Sequence, residues 1–362
     1  MKLRLHRQSA GVALIIVMIA ILVLAGMAAI LAYSMKVESK LAHNSSSDQR
    51  LVWLGRSGVE LARWILVQGR CPYDSLNQIW AGGPGSDCET NGPLAGFSLN
   101  NYQVGDGTVS LTIVDLERYA NINTANDQNK FILQALTLMG VDAGEISVVS
   151  DSIQDWVQPG DMPRVAGAKS EYYQGFNPPY NCKEAPVDDM SELLRVKGIW
   201  DHPEIYDPKK YGGDAMSGRP AAFQRHHLGF GNAPGSVPDY QFGLVDLFTP
   251  FSIGRININT ADANVLQLIP GVDANVADAI LKLRAGPDGV DGTPIPDAGV
   301  AGALRSAGDN NPLAGNFATG RSYTFQVTVT AKLGDYTRDY KAILYRPPGG
   351  RSIEVVSFYW QK

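Results

Sequence analysis

Residue types that could do chemistry are few in this chain and stand far apart. The spacings of a phosphate loop (G-x-x-x-x-G-K-[ST]), a nucleophile elbow (G-x-S-x-G) and a zinc-protease helix (H-E-x-x-H) do not occur. Nucleotide hydrolysis, serine-type acyl transfer and zinc proteolysis therefore have no residues to run on. Gly105-Asp106-Gly107 and Gly229-Phe230-Gly231 lack a third glycine and read as turns. Of the histidines His6, His43, His202, His226 and His227, only the adjacent last two could share a metal. Nothing else at zinc spacing accompanies them, and a solvated pair on a loop is the plainer reading. Carboxylates make a better case for a hard cation. Asp155 and Asp161 flank Pro159-Gly160, with Glu171 beyond, and Asp288-Gly289-Val290-Asp291-Gly292 sets two more on a glycine turn. Calcium needs several such oxygens, some from backbone carbonyls. Neither stretch has EF-hand spacing, and turns and caps use Asp in the same way. Calcium is thus the one cofactor with a chemical case. Cys71 and Cys88 flank a turn-rich loop. In an oxidising compartment a bond there would close about 18 residues, worth roughly 3 kcal/mol by chain entropy. Two free thiols is the alternative, and Cys182 is left over either way.

The chain has 362 residues, 44% hydrophobic and 19% charged, which excludes a collagen, a disordered chain and a multi-span membrane protein. Net charge is −5, and without the three cations Lys2, Arg4 and Arg7 it becomes −8. Such a chain has no bulk affinity for nucleic acid or anionic lipid.

Those three cations precede the element that must position everything else. Val12 to Tyr33 is a run of 22 residues without a charge. As a helix it spans roughly 33 Å, enough for one membrane crossing. Cations on its N-terminal side put that end in the cytoplasm and the rest outside. A cleaved secretory signal fits poorly, because the run is long and has no Ala-x-Ala near its end. The break Ser9-Ala10-Gly11-Val12-Ala13-Leu14 falls before the apolar run. It resembles the type IV prepilin signal, which implies cleavage after Gly11, retention of the helix and Val12 as an N-methylated first residue. Pilins usually carry Glu at the fifth mature position; here it is Ile16. From Ser34 to Val67 there is no proline, and Val37, Leu41, Leu51, Leu54, Leu61 and Ile65 recur at helical spacing, so the helix continues to about Gly69.

The middle of the chain repeats itself. Ala120-Asn121-Ile122-Asn123-Thr124-Ala125 returns as Ile256-Asn257-Ile258-Asn259-Thr260-Ala261. Each copy leads into an apolar-patterned helix, then Gly-Val-Asp-Ala (140–143 and 271–274), then a second helix over Ser147–Val157 or Val276–Leu283. Thr124 and Thr260 are expected helix N-caps, and the two glycines suit tight turns. A third copy is expected over Met190–Ile199. The unit resembles a helix-hairpin-helix. Such hairpins grip phosphate with glycine N–H groups and a nearby cation. Here Asp273 follows Pro270-Gly271-Val272, Asn275-Val276 stand where Lys would serve, and the first copy carries Asp142 and Glu145. Carboxylates repel phosphate, so a scaffold role is expected and no nucleic-acid partner.

Together with Asp155-Trp156-Val157, Glu171-Tyr172-Tyr173 and Glu192-Leu193-Leu194-Arg195-Val196-Lys197-Gly198-Ile199, in this order, these features resemble the general secretion pathway protein K family, large minor pseudopilins of type II secretion. The resemblance covers 8–66 and 109–361; Gln158 departs from it, where the family tends to be acidic. It implies an α+β fold: a pilin-like N-terminal helix on an antiparallel sheet, with an α-helical domain of helix-hairpin-helix or SAM-like repeats inserted between strands. It further implies a non-enzymatic, single-pass inner-membrane subunit with a periplasmic ectodomain, at the tip of the pseudopilus. The implied partners are minor pseudopilins of the I, J and H types, the major pseudopilin, the inner-membrane platform and prepilin peptidase. A minor pilin of a type IV pilus or competence system is the alternative, and a membrane-tethered DNA-binding helix-hairpin-helix protein a more distant one. The expected organisation is a leader at 1–11, a transmembrane helix at 12–35, and pilin-like helix, loop and first strands at 36–120. An inserted helical domain at 121–255 and a second helical unit with the last strands at 256–362 complete it. Alternation predicts strands over Thr108–Asp115, Ser322–Leu333, Tyr336–Tyr345 and Ile353–Trp360, the last three an antiparallel meander on the stem helix.

Overall fold

The structure, a computed structural model, describes residues 10–69, 71–89, 92–212, 240–286, 293–309, 311–349 and 352–360. The leader before Ala10, the histidine pair at 226–227 and the Asp288–Asp291 turn lie outside the described residues. Helix α1 runs without a break from Ala10 to Gln68, 59 residues. No proline interrupts it, and Gly69 with Pro72 ends it. The stretch from Val12 to Met35 is exposed throughout, whereas Leu51, Leu54, Val59, Ala62, Ile65 and Leu66 form one buried stripe. A lipid-facing helix satisfies its own backbone, so the apolar half needs no protein around it.

The buried stripe lies on a five-stranded antiparallel sheet of order β1-β2-β7-β8-β9, with β1 Tyr102–Val104, β2 Gly107–Asp115, β7 Thr324–Leu333, β8 Tyr336–Tyr345 and β9 Glu354–Trp360. Two expected strands begin later than alternation suggests, because side chains claim the first backbone groups. Ser322 N–H donates to Asp74 and Tyr323 N–H to Glu117, so β7 opens at Thr324; the Ile353 carbonyl accepts from Arg63, so β9 opens at Glu354. Helix and sheet meet closely at two glycines. A Cβ on Gly58 would lie 2.3 Å from Cγ1 of Val329, and one on Gly55 2.5 Å from the Tyr340 ring. The residues between α1 and β1 complete this core through Trp80, Leu94 and Leu99.

Between β2 and β7 the chain leaves the sheet to build a second body. Its apolar core runs from Ala120 to Ala318 and includes Ile256, Ile258, Val265 and Leu266. The core therefore does not divide at residue 255: the second helical unit packs with the first, because Ile256 and Ile258 are buried among the same side chains. In the first unit, α2 (Phe131–Met139) and α3 (Ala143–Val157) are joined at Gly140, whose φ of 77° is left-handed. In the second, helices Ala263–Leu266 and Ala274–Ala285 are joined at Gly271, φ 99°. The Asp of each Gly-Val-Asp-Ala phrase, Asp142 and Asp273, caps the second helix. Thr124 and Thr260 are not the caps expected. Their hydroxyls donate back to Asn121 and Asn257 carbonyls, and the helices start later, at Phe131 and Ala263. The Met190–Ile199 stretch is a single 3-10 helix, Met190–Arg195, opened by a reciprocal Asp189–Glu192 cap, rather than a third helix pair.

Candidate functional site

Each Asn-Ile-Asn-Thr-Ala phrase makes the same clamp. The first Asn closes a turn by accepting from the N–H of the second: Asn121 from Asn123 at 2.8 Å, Asn257 from Asn259 at 3.0 Å. The second Asn grips both backbone groups of one distant residue. Asn123 accepts from Val187 N–H (2.7 Å) and donates to its carbonyl (3.0 Å); Asn259 does the same to Ile295 (2.8 and 2.9 Å). Each phrase also starts a two-residue parallel pair, β3 (Ala120–Asn121) with β4 (Phe248–Thr249) and β5 (Ile256–Asn257) with β6 (Ala318–Thr319). The second Asn then reaches the carbonyl just past the partner strand, Pro250 or Gly320, at 3.2 Å in both copies. One amide thus pairs the backbone of Val187 or Ile295, and in the second copy shares the Gly320 carbonyl with the Asp74 N–H. The repeat in sequence is a repeated device for pinning returning chain.

The copies differ in what else they hold. Asn121 donates within the insert, to the Ser252 carbonyl. Asn257 donates to the Asp74 carbonyl, to Asp115 and to Ser322, which belong to the sheet body. This second clamp sits in a buried polar neck where the chain passes between the two bodies. Asp115 accepts also from Thr260 and from Glu117 N–H. Glu117 accepts from the N–H groups of Ile253, Tyr323 and Thr324 at 3.2, 3.0 and 2.9 Å. Asp74 is paired with Arg346. Burial pushes the Glu117 carboxyl up to about 8, reinforced by the neighbouring Asp115 charge and opposed by its three N–H donors. Burial raises Asp115 too, against the Ser322 and Thr260 hydroxyls. Sequence reading missed this neck. One signal was available: Asp115 continues the inward face of Val109, Leu111 and Ile113.

The expected calcium ligands do not converge. Asp155 is buried and accepts from Arg164 N–H at 3.0 Å, while Asp161 and Glu171 are exposed. The Asp155 carboxylate bolts down the loop after α3, so tightly that a Cβ on Gly167 would lie 1.9 Å from it. Lys169 secures the same loop by donating to the Asp155 and Gln158 carbonyls. Among the described residues no three His, Cys, Asp or Glu side chains are grouped to hold a metal ion. Cys71 and Cys88 are disulfide-bonded, with 5.7 Å between their Cα atoms. Cys182 is a buried free thiol that donates to the Asp155 carbonyl, and burial raises its pKa. His202 bonds the buried Glu204 at 3.1 Å, which raises the imidazole pKa.

The processing residues lie on α1. Gly11 and Val12 are in its first turns, and Val12 and Ile16 are exposed on the apolar half. Among the described residues this is the one helix long and apolar enough to cross a membrane.

Long apolar N-terminal helix, helix-on-sheet body and inserted helical body together define an α+β protein. Residues 97–207 match the family profile described as Type II secretion system (T2SS), protein K. The chain is 25% identical over 109 residues to type II secretion system protein K of Klebsiella pneumoniae, covering 27% of this chain and 33% of that protein. It is 24% identical over 210 residues to a protein given that name provisionally in Escherichia coli (strain K12), covering 54% and 59% respectively. The chain thus spans a third to somewhat over half of these curated relatives. In fold it is similar to a chain of the crystal structure of the GspK-GspI-GspJ complex from the enterotoxigenic Escherichia coli type 2 secretion system. The TM-score is 0.60 at 15% identity, over 89% of this chain and 99% of that one. Over residues 97–207 the chain is thus similar to the type II secretion system protein K family.

Proposed function

We propose that this chain is a minor pseudopilin that caps the pseudopilus of a type II secretion system and starts its assembly, with no chemistry of its own. The carrying observation is Ile16. A subunit within a pilin-like filament offers a carboxylate, from its fifth mature residue, to the N-terminal amine of its neighbour inside the membrane. An uncompensated charge there costs at least about 2.5 kcal/mol. Ile16 offers no carboxylate and stands exposed on the apolar half of α1, so the chain is tolerable only where no subunit above needs one. The insert supports the same reading sterically, since a second body between β2 and β7 would obstruct a regular stack. The solved relative is named for a complex with GspI and GspJ, which makes I- and J-type pseudopilins the first partners, with an H-type and the major pseudopilin below. Prepilin peptidase would cut after Gly11 on the cytoplasmic side of the inner membrane. The secretion platform would hold the anchor, and the rest of the chain would lie in the periplasm. The test is a strain lacking this chain, complemented by wild type or by Ile16→Glu. Loss of filament initiation and of secretion in the deletion, restored by wild type, is expected. Normal secretion without the chain would overturn the proposal.

A further inference from the structure

A lysine is buried only with partners for its charge. Lys169 is 6% exposed and closes the loop that follows α3, residues 158–168. Its ammonium donates to the carbonyls of Asp155 (2.8 Å) and Gln158 (2.6 Å), in the last turn of α3 and at its C-cap. Both carbonyls belong to the negative end of the helix dipole. The Asp155 carbonyl cannot take its usual helical donor, because residue 159 is proline and has no N–H. Lys169 and the Cys182 thiol donate to it instead. The Asp155 side chain adds a carboxylate here: burial raises its pKa, and the Arg164 N–H and the Lys169 charge oppose that rise. The apolar tip does not hold the loop, since Met162 and Val165 are 85% and 106% exposed. Polar ties hold it: Ala166 N–H to Asp151, Arg164 to Asp127, and the Lys197 ammonium to the Ala166 and Gly167 carbonyls.

We propose that the Lys169 ammonium takes the place of a bound calcium ion at the C-terminal end of α3, a built-in cation that lets this loop stand without metal. Calcium is held by carboxylate and backbone carbonyl oxygens together, roughly six to eight of them. The end of α3 offers that mixture, the Asp155 carboxylate with the Asp155 and Gln158 carbonyls, and what the carbonyls meet is an ammonium. It brings one positive charge and three donors, so no full oxygen shell is needed. The other carboxylates near it in sequence are not drawn in: Asp161 and Glu171 are exposed. Gln158 contributes its carbonyl, not its side chain. A neutral side chain at 169 would leave these oxygens facing one another, and a metal ion would be needed to bridge them.

The test is limited trypsin digestion of the full-length protein in detergent, in millimolar calcium or in excess EGTA, with cleavage after Arg164 followed by mass spectrometry. That bond lies in the loop and becomes a substrate when the loop leaves its ties. Rates are referred to a peptide substrate in the same buffer. Wild type should be cut slowly, and equally with and without calcium. Lys169→Met keeps the stem and loses the charge, so cleavage should rise at least about tenfold in both buffers. Lys169→Ala leaves the place open, so it should be cut fast in EGTA and slowed by calcium towards the wild-type rate. Three results would each overturn the proposal: wild type protected further by calcium, Lys169→Met cut at the wild-type rate, or Lys169→Ala cut equally fast in both buffers. Where Lys169→Met is cut throughout the chain, the calcium response of Lys169→Ala relative to wild type still decides.

Discussion

Glu117 and its neighbour Asp115 are buried carboxyls whose pKa is raised, so pH should act on this neck. The Glu117 carboxyl titrates near 8 in the fold against an ordinary value of 4.5. A raised acid stabilises the fold fully below the ordinary value, and that contribution fades as pH rises through the folded one. The protein should therefore melt lower at pH 8 than at pH 5. His202, raised by Glu204, adds to the same trend over the upper part of this range. The diagnostic quantity is thus the difference between wild type and Glu117→Gln: the variant should show a clearly shallower fall in Tm over that window. Parallel pH profiles would contradict the assignment. Asn259 gives a second residue-level expectation. Its replacement by Ala strands the N–H and carbonyl of Ile295, a loss of about 2–3 kcal/mol. Urea unfolding should show that loss, and a midpoint unchanged within error would mean the clamp carries no load. The repetition of these asparagines was plain in sequence, but their partners, Val187 and Ile295, were not. Nothing local marks a residue some tens of positions away whose backbone needs an amide. Asp155 stood open in the sequence for the related reason that a carboxylate near Pro-Gly can bind a cation or its own loop, and only the fold shows its Arg164 N–H partner.

At the scale of elements, the strands were the most legible part. Alternation over 108–115, 322–333, 336–345 and 353–360 gave each strand to within two residues, because a sheet with one face on α1 has a clean inside and outside. The long helix was equally plain from its unbroken apolar and proline-free run. Less legible was the packing of α1, because nothing local marks Gly55 and Gly58 as its contact points with the sheet. Alanine would favour the helix by about 1 kcal/mol, but its Cβ at 2.3 Å from a β-branched Val329 must displace the sheet, at about 1–3 kcal/mol. Gly58→Ala should therefore lower Tm despite the better helix former. A raised Tm would show that α1 sits further from β7 than described. Removal of the disulfide with Cys88→Ser acts on the loop between α1 and β1, and should cost about 3 kcal/mol in unfolding experiments.

The whole molecule divides into an exposed apolar half-helix and a folded part. Buried side chains begin at Ser47, and every described side chain from Val12 to Met35 is exposed. The chain from Lys36 onward should accordingly be soluble and monomeric, with a cooperative melt; insolubility with lost near-ultraviolet dichroism would mean that the span is part of the fold. Intact mass of protein extracted from membranes should show loss of residues 1–11, and Gly11→Leu should leave the precursor. Both outcomes concern the N-terminal helix, whereas the proposed place at a filament tip needs its own measurement. The most direct measurement of that is to image sheared pseudopili carrying a small tag at the C-terminus of this chain, decorated with gold. An apolar Ile16 and an inserted body at the apex predict a single label at one end of each filament. Labels distributed along the shaft would contradict the account.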